Sequence, residues 1–115
     1  MKIKNPKKRI YIAGPMRGYP QYNYPAFNAA DEWLTLQGWE VKSPEKISKT
    51  FGTPSAIDAN PYLLARLMRY EIEVLEKCDA IYLLRGWEKS IGARGELAVA
   101  LREGLEIIVQ GGGEE

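Results

Sequence analysis

Asp79-Ala80-Ile81-Tyr82-Leu83-Leu84, then Arg85-Gly86-Trp87-Glu88-Lys89-Ser90, then a segment containing Gly92-Ala93-Arg94-Gly95-Glu96 that runs on to Gly104, is the stretch that decides the fold. Its first part, Ala80 to Leu84, is a short continuous apolar run, the pattern of a buried strand. The second part is polar and carries a glycine, so it reads as a loop. The third predicts a helix opening at Gly92 to Glu96. A strand that feeds a glycine-containing turn and a helix N-terminus is the geometry that holds anionic or sugar-phosphate ligands. Glu96 stands out. Three and four positions away on a helix lie Gly92, Ala93, Val99 and Ala100, all small or apolar. A carboxylate on that face is costly to bury alone, so it has either a structural partner, such as Arg17 or Tyr11, or a chemical task.

Composition narrows what that task can be. A chain of 115 residues supports one core, so a single domain over 1–115 is expected. With 45% hydrophobic and 27% charged residues the chain falls in the soluble globular range. Sixteen basic and fifteen acidic residues leave a net charge of +1, so no bulk electrostatic drive toward nucleic acid or membrane is expected. Cys78 is the only cysteine, which excludes an intrachain disulfide, and no secretory or long apolar segment is read, so a cytoplasmic setting is expected. There is no histidine. That removes Ser-His-Asp and Cys-His nucleophiles and the usual zinc sites, and no metal or cofactor is expected. Acid–base and nucleophilic work falls to carboxylates, lysines, tyrosines or Cys78.

Along the rest of the chain, residues 1–8 carry Lys2, Lys4, Lys7 and Lys8 and read as a basic arm. Arg9–Ala13 predicts a short buried strand closed by Gly14-Pro15-Met16-Arg17-Gly18, a tight loop in which Arg17 can meet an anion bidentately or sit in a surface salt bridge. Tyr19 to Tyr24 is aromatic and polar. Pro25 and Gly38 bracket a helix with Phe27, Ala30 and Leu34 inward, Ala26 and Trp33 beside them, and Asp31, Glu32 and Gln37 outward. Trp39–Ser43 alternates as a second strand. Pro44 to Ala59 reads as a substrate-side loop or lid. Asn60-Pro61 starts a long helix to about Lys77, with Leu64, Met68, Leu75 and Cys78 on one face and Leu67 and Val74 beside them. Glu71 falls on that stripe, either as an edge residue whose head reaches solvent or as a second carboxylate with a role. Asp79 reads as the end of the helix. Leu105–Val109 is a last strand, and 111–115 a flexible tail.

The order β-α-β-loop-α-β-α-β predicts an α/β fold, a flavodoxin- or Rossmann-like three-layer sandwich with a mostly parallel sheet of four to five strands. In a doubly wound sheet the first and third strands are neighbours at the switch point, where ligands bind. Arg17, Ser90 and the amides near Gly92 and Ala93 would then surround a phosphate, with Glu96 deeper and Tyr11 near the floor as a further catalytic candidate. Gly14 and Gly18 would shape the facing loop. Tyr19 and Trp87 are candidates for stacking on a base, or for packing alone. Ser90 reads as a phosphate ligand, a helix cap, or both.

Tyr11-Ile12-Ala13-Gly14-Pro15-Met16-Arg17-Gly18, Asp79 at a helix end, and Ser90-x-Gly92-x-x-x-Glu96-Leu97-x-x-Ala100 together resemble the nucleoside 2-deoxyribosyltransferase superfamily. The likeness is to its small phage and bacterial deoxyribosyltransferase-like branch, similar to 2′-deoxynucleoside 5′-phosphate N-hydrolases. The resemblance implies retaining cleavage or transfer at the N-glycosidic bond of 2′-deoxynucleosides or their 5′-monophosphates. It places the nucleophile at Glu96, forming a glycosyl-enzyme ester resolved by water or by another base. It places the acid–base carboxylate at Glu71, where the family usually has an aspartate. Serine at position 90 and arginine at 17, instead of the aspartate that free-nucleoside transferases carry where Ser90 stands, lean toward a nucleotide. The family's dimeric sites imply a homodimer or higher homo-oligomer. The same residues also fit a non-catalytic nucleotide-binding module, or an oligomeric scaffold with a vestigial site.

Overall fold

The run Arg9–Ala13 forms strand β1, and its two faces feed two different cores. The structure is a computed structural model that describes residues 8–111, so all but the last residue of the basic arm and all but the first of the tail lie outside it. Ile10 and Ile12 point to one side, where they meet Phe27, Ala30 and Leu34. Tyr11 and Ala13 point to the other, where they meet Leu75, Ala93 and Ala100. The period-two alternation of a strand buried on both faces therefore sorts β1 residue by residue.

Strands β2 (Glu40–Lys42), β3 (Ala80–Leu83) and β4 (Glu106–Val109) complete an all-parallel sheet in the order β2-β1-β3-β4. Helix α1 (Tyr24–Leu36) supplies the Phe27, Ala30 and Leu34 stripe on one face. Helices α4 (Pro61–Glu76) and α5 (Ile91–Glu103) pack together over the other. This is the expected α/β architecture, compatible with a flavodoxin- or Rossmann-like sandwich, with four strands among the described residues. β1 and β3 are central neighbours, and Tyr11 aligns with Ile81.

Three expectations are corrected. Pro44 to Ala59 is not an open loop: it forms two short helices, α2 (Pro44–Lys49) and α3 (Pro54–Asp58). Each begins with proline at a first-turn position, and the Thr53 hydroxyl accepts from the Ala56 N–H at 3.2 Å. Helices of six and five residues are too short to show an apolar period. Asp31 is not on the outer side but buried, because α2 lies over α1 and brings Lys46 Nζ to 2.7 Å from Oδ2, while the Thr35 hydroxyl donates to Oδ1 at 3.1 Å. The expected apolar face is divided: Leu75 on α4 and Cys78 just beyond it are core, whereas Leu64 and Met68 line a cavity, and Met68 is 54% exposed.

The caps agree with the sequence. Asn60 Oδ1 accepts from the Tyr62 and Leu63 N–H groups, and Ser90 Oγ accepts from the Ala93 N–H at 3.1 Å. Asp79 ends the α4 connection structurally, its Oδ2 accepting the Arg9 N–H at 2.8 Å at the amino end of the sheet. Gly14 leaves β1 where the chain crosses Leu84. A Cβ there would sit 2.7 Å from Leu84 Cβ and 2.8 Å from its Cδ1. Gly14→Ala is therefore expected to cost about 1–3 kcal/mol through overpacking, read as a lower urea midpoint with unchanged m-value.

Candidate active site

A cavity of about 560 Å³ opens beyond the carboxyl ends of β1 and β3. Its size is that of a small-molecule site, and its position is the switch point of the sheet. One wall is the loop after β1, Gly14 to Arg17, with Tyr19. The facing wall is Lys89 to Ala93 at the start of α5, with Glu96 one turn deeper. Helix α4 contributes Leu64, Leu67, Met68 and Glu71, and α2 and α3 close the rim with Ser48, Ile57 and Asp58.

Glu96 is tied to the floor. The Tyr11 hydroxyl donates to Glu96 Oε2 at 2.6 Å, a short, charge-assisted geometry. Tyr11 is fully buried, and its phenol is held well above its ordinary range, first by burial and then by the Glu96 and Glu71 charges. Burial pushes the Glu96 carboxyl up to about 7, opposed by the Tyr11 hydrogen bond that steadies its ionised form. Glu71 is half-buried on α4 and is raised to about 8, mainly by burial and then by the nearby Glu96 charge. Two carboxyl groups thus share one apolar cavity, and each is harder to ionise than in water. Glu71 thus turns toward the cavity that Glu96 also lines.

The residues expected around a phosphate divide. Gly14, Arg17, Ser90, Gly92 and Ala93 all line the cavity; Gly18, with a positive φ of 83°, does not. Arg17 is engaged: its Nη2 lies 2.7 Å from Asp58 Oδ1 of α3. Arg17 thus lines the cavity while held in the salt bridge of its surface reading. Ser90 caps α5 and lines the cavity at once. Tyr19 lines the wall and packs over Gly86, where a Cβ would meet its hydroxyl at 2.8 Å and where φ is +89°. Trp87 does not line the cavity. It is half-buried against the second core cluster, so packing accounts for it. Cys78 is buried among core residues, its thiol raised to about 11 by burial, and it lies off the cavity.

Several lining residues escaped sequence reasoning. Tyr22 and Tyr24 form an aromatic wall, their ring centroids 6.1 Å apart. They are presented by an unusual turn in which Gln21, Tyr22 and Asn23 all hold left-handed backbone, with φ of 54°, 53° and 61°. Such geometry costs about 1–2 kcal/mol per non-glycine residue. Asn23 Nδ2 fastens the turn by donating to the Pro15 carbonyl at 2.9 Å. Asparagine tolerates this region, so Asn23 was the available signal. Lys89 also lines the cavity, and among the described residues no carboxylate lies within ion-pair distance of it. Neither α3 nor Asp58 could be placed there from sequence, since the contact with Arg17 spans 41 positions.

The chain belongs to the family described as Domain of unknown function (DUF4406), whose model matches residues 8–109. A search of curated proteins finds no match. No helix among the described residues is long and apolar enough to cross a membrane.

The raised carboxyl groups carry a stability consequence. Both ionise near 4.5 when unfolded, so between about pH 4.5 and 8 the folded chain holds more protons than the unfolded one. Stability contributed by these groups is therefore full below pH 4.5 and declines as pH rises through 7 and 8. Urea midpoints are expected to fall over that interval. Glu71→Gln is expected to flatten the decline and to gain at least about 1 kcal/mol at pH 8.5, given about 1.4 kcal/mol per pK unit.

Proposed function

We propose that this chain is a retaining N-glycosidase or deoxyribosyltransferase acting on 2′-deoxynucleosides or their 5′-monophosphates. The observation that carries the reading is that Glu71 and Glu96 line one cavity; the Tyr11–Glu96 hydrogen bond at 2.6 Å, which alone would fit a structural carboxylate equally well, orients the second of them. A carboxylate that must attack carbon has to be held in one orientation and stripped of water. Tyr11 holds one oxygen of Glu96 and leaves the other to react. The resemblance of the Tyr11–Gly18 and Ser90–Ala100 segments to nucleoside 2-deoxyribosyltransferases supports the same chemistry.

In the first step Glu96 attacks C1′ of the deoxyribose and forms a C1′–O bond. The C1′–N bond breaks, its electron pair leaves with the base nitrogen, and Glu71 donates the proton that the base takes up. In the second step Glu71, now ionised, takes a proton from water or from an incoming base. That nucleophile attacks C1′, and the ester bond returns its electron pair to Glu96. The order of the two carboxyl groups suits these roles: the one raised further, Glu71, retains its proton at a pH where Glu96 gives its own up.

At the other end of the substrate, Arg17, Lys89, the Ser90 hydroxyl and the first amides of α5 offer positive charge and donors to a 5′-phosphate. Tyr22 and Tyr24 offer flat faces to a base. A cytoplasmic homodimer, or a higher homo-oligomer, is the proposed setting.

The decisive measurement is intact-mass spectrometry after incubation with 2-fluoro-arabinosyl nucleosides and nucleotides. One sugar adduct per chain is expected, mapping to Glu96 and lost in Glu96→Gln. Base release from deoxynucleoside monophosphates should drop by about a thousandfold or more in that variant. A protein that binds deoxynucleotides yet never forms the adduct or releases base is a binding module instead. The pH profile of kcat/KM should be bell-shaped, rising as Glu96 ionises near 7 and falling as Glu71 loses its proton near 8.

A further inference from the structure

Asp58 is the last residue of α3, the end of a helix where a negative charge gains nothing from the backbone dipoles. It caps nothing: the turn after α3 is closed by the Ala59 N–H meeting the Ser55 and Ile57 carbonyls. Among the described residues its one side-chain partner is Arg17, reached across the mouth of the cavity at 2.7 Å. The contact uses a single nitrogen of a guanidinium that can donate five N–H bonds. The pair is also exposed, at 66% for the arginine and 40% for the aspartate side chain, so water and salt weaken it. Arg17 is therefore occupied by a carboxylate that is held lightly. Facing it across the cavity are Lys89 and Ser90 at the start of α5.

We propose that Asp58 is the specificity-determining residue of this site: an internal anion that occupies Arg17 and that a substrate phosphate must displace. The inference rests on reading the cavity as a nucleoside site and deepens it by assigning how substrate charge is selected. A 5′-phosphate brings close to two negative charges and competes for the same guanidinium. To bind, it has to push the Asp58 carboxylate aside or share the rim with it, and both lower its affinity. A neutral nucleoside meets neither cost. Asp58 thus narrows the advantage of monophosphates over nucleosides that Arg17 and Lys89 alone would give.

Isothermal titration of inorganic phosphate, the four common 2′-deoxynucleoside 5′-monophosphates and the matching nucleosides tests this in the wild type, Asp58→Asn, Asp58→Ala and Arg17→Ala. Both Asp58 variants should bind phosphate and monophosphates about tenfold more tightly, with nucleoside affinity unchanged. Adding Asp58→Asn to Arg17→Ala should bring no gain. Circular dichroism confirms that each variant is folded, and the exposed, near-isosteric asparagine substitution guards against a simple folding loss. The proposal is overturned by unchanged or weaker phosphate affinity in folded Asp58 variants, by a gain that persists without Arg17, or by no phosphate binding in any form. Inorganic phosphate is read directly, and the nucleosides and nucleotides are titrated with Glu96→Gln added to every form, so that binding is read without turnover. Tighter phosphate binding in a chain that releases no base would leave the role of Asp58 standing and count against the glycosidase reading alone.

Discussion

The parallel pairing of β1 with β3 is the interaction on which the rest of this molecule depends. Its register sets Tyr11 beside Ile81 and Ala13 beside Leu83, so the two strands end together and their following loops open onto one cavity. Because side chains alternate along a strand, the same register turns Tyr11 toward α4 and α5, the helices that carry the two carboxyl groups. A one-residue slip would move the phenol to the α1 face and leave Glu96 without its donor. Gly14 permits this closeness, since Leu84 occupies the space any side chain there would need.

Beneath the cavity the governing cost is the burial of charge. Neither Glu71 nor Glu96 has an ion-pair partner among the described residues, and both are harder to ionise for it. Tyr11 relieves Glu96 in part and Glu71 not at all, which separates two groups of the same residue type by their surroundings. A chain without histidine obtains groups that titrate near neutrality in this way. Desolvation moves glutamates into the range an imidazole would occupy.

The rim is built on different terms. Its anchors are a left-handed turn fastened by Asn23, two short helices, and one exposed ion pair between Arg17 and Asp58. The floor is held by fully buried strands and the rim by contacts that water competes for. That division suits a site in which the reacting groups stay fixed while the entrance discriminates among ligands. Lys49 adds a cation 5.3 Å from the Tyr24 ring, and the Tyr24 hydroxyl lies 3.4 Å from Ser48 Oγ, so α2 is joined to the aromatic wall by modest contacts only.

The sequence by itself determined the order of the four strands and the three long helices, the α/β class, the caps at Ser90 and Asn60, and the anomaly of Glu96 on a small-residue face. These follow from local rules: apolar period, proline and glycine positions, and the cost of a carboxylate among alanines. It also made Glu71 conspicuous, but its spacing alone fitted an edge residue equally well. Only the tertiary structure decided that Glu71 and Glu96 line one cavity, because that depends on how α4 and α5 pack over β1. The same holds for Trp87, packed against the core, for Asp31, covered by α2, and for the rim of Tyr22, Lys89 and Asp58. Asp58 and Arg17 lie 41 positions apart with no periodic pattern between them. A contact of that kind is fixed by where short helices settle on a finished sheet, and no local preference encodes it.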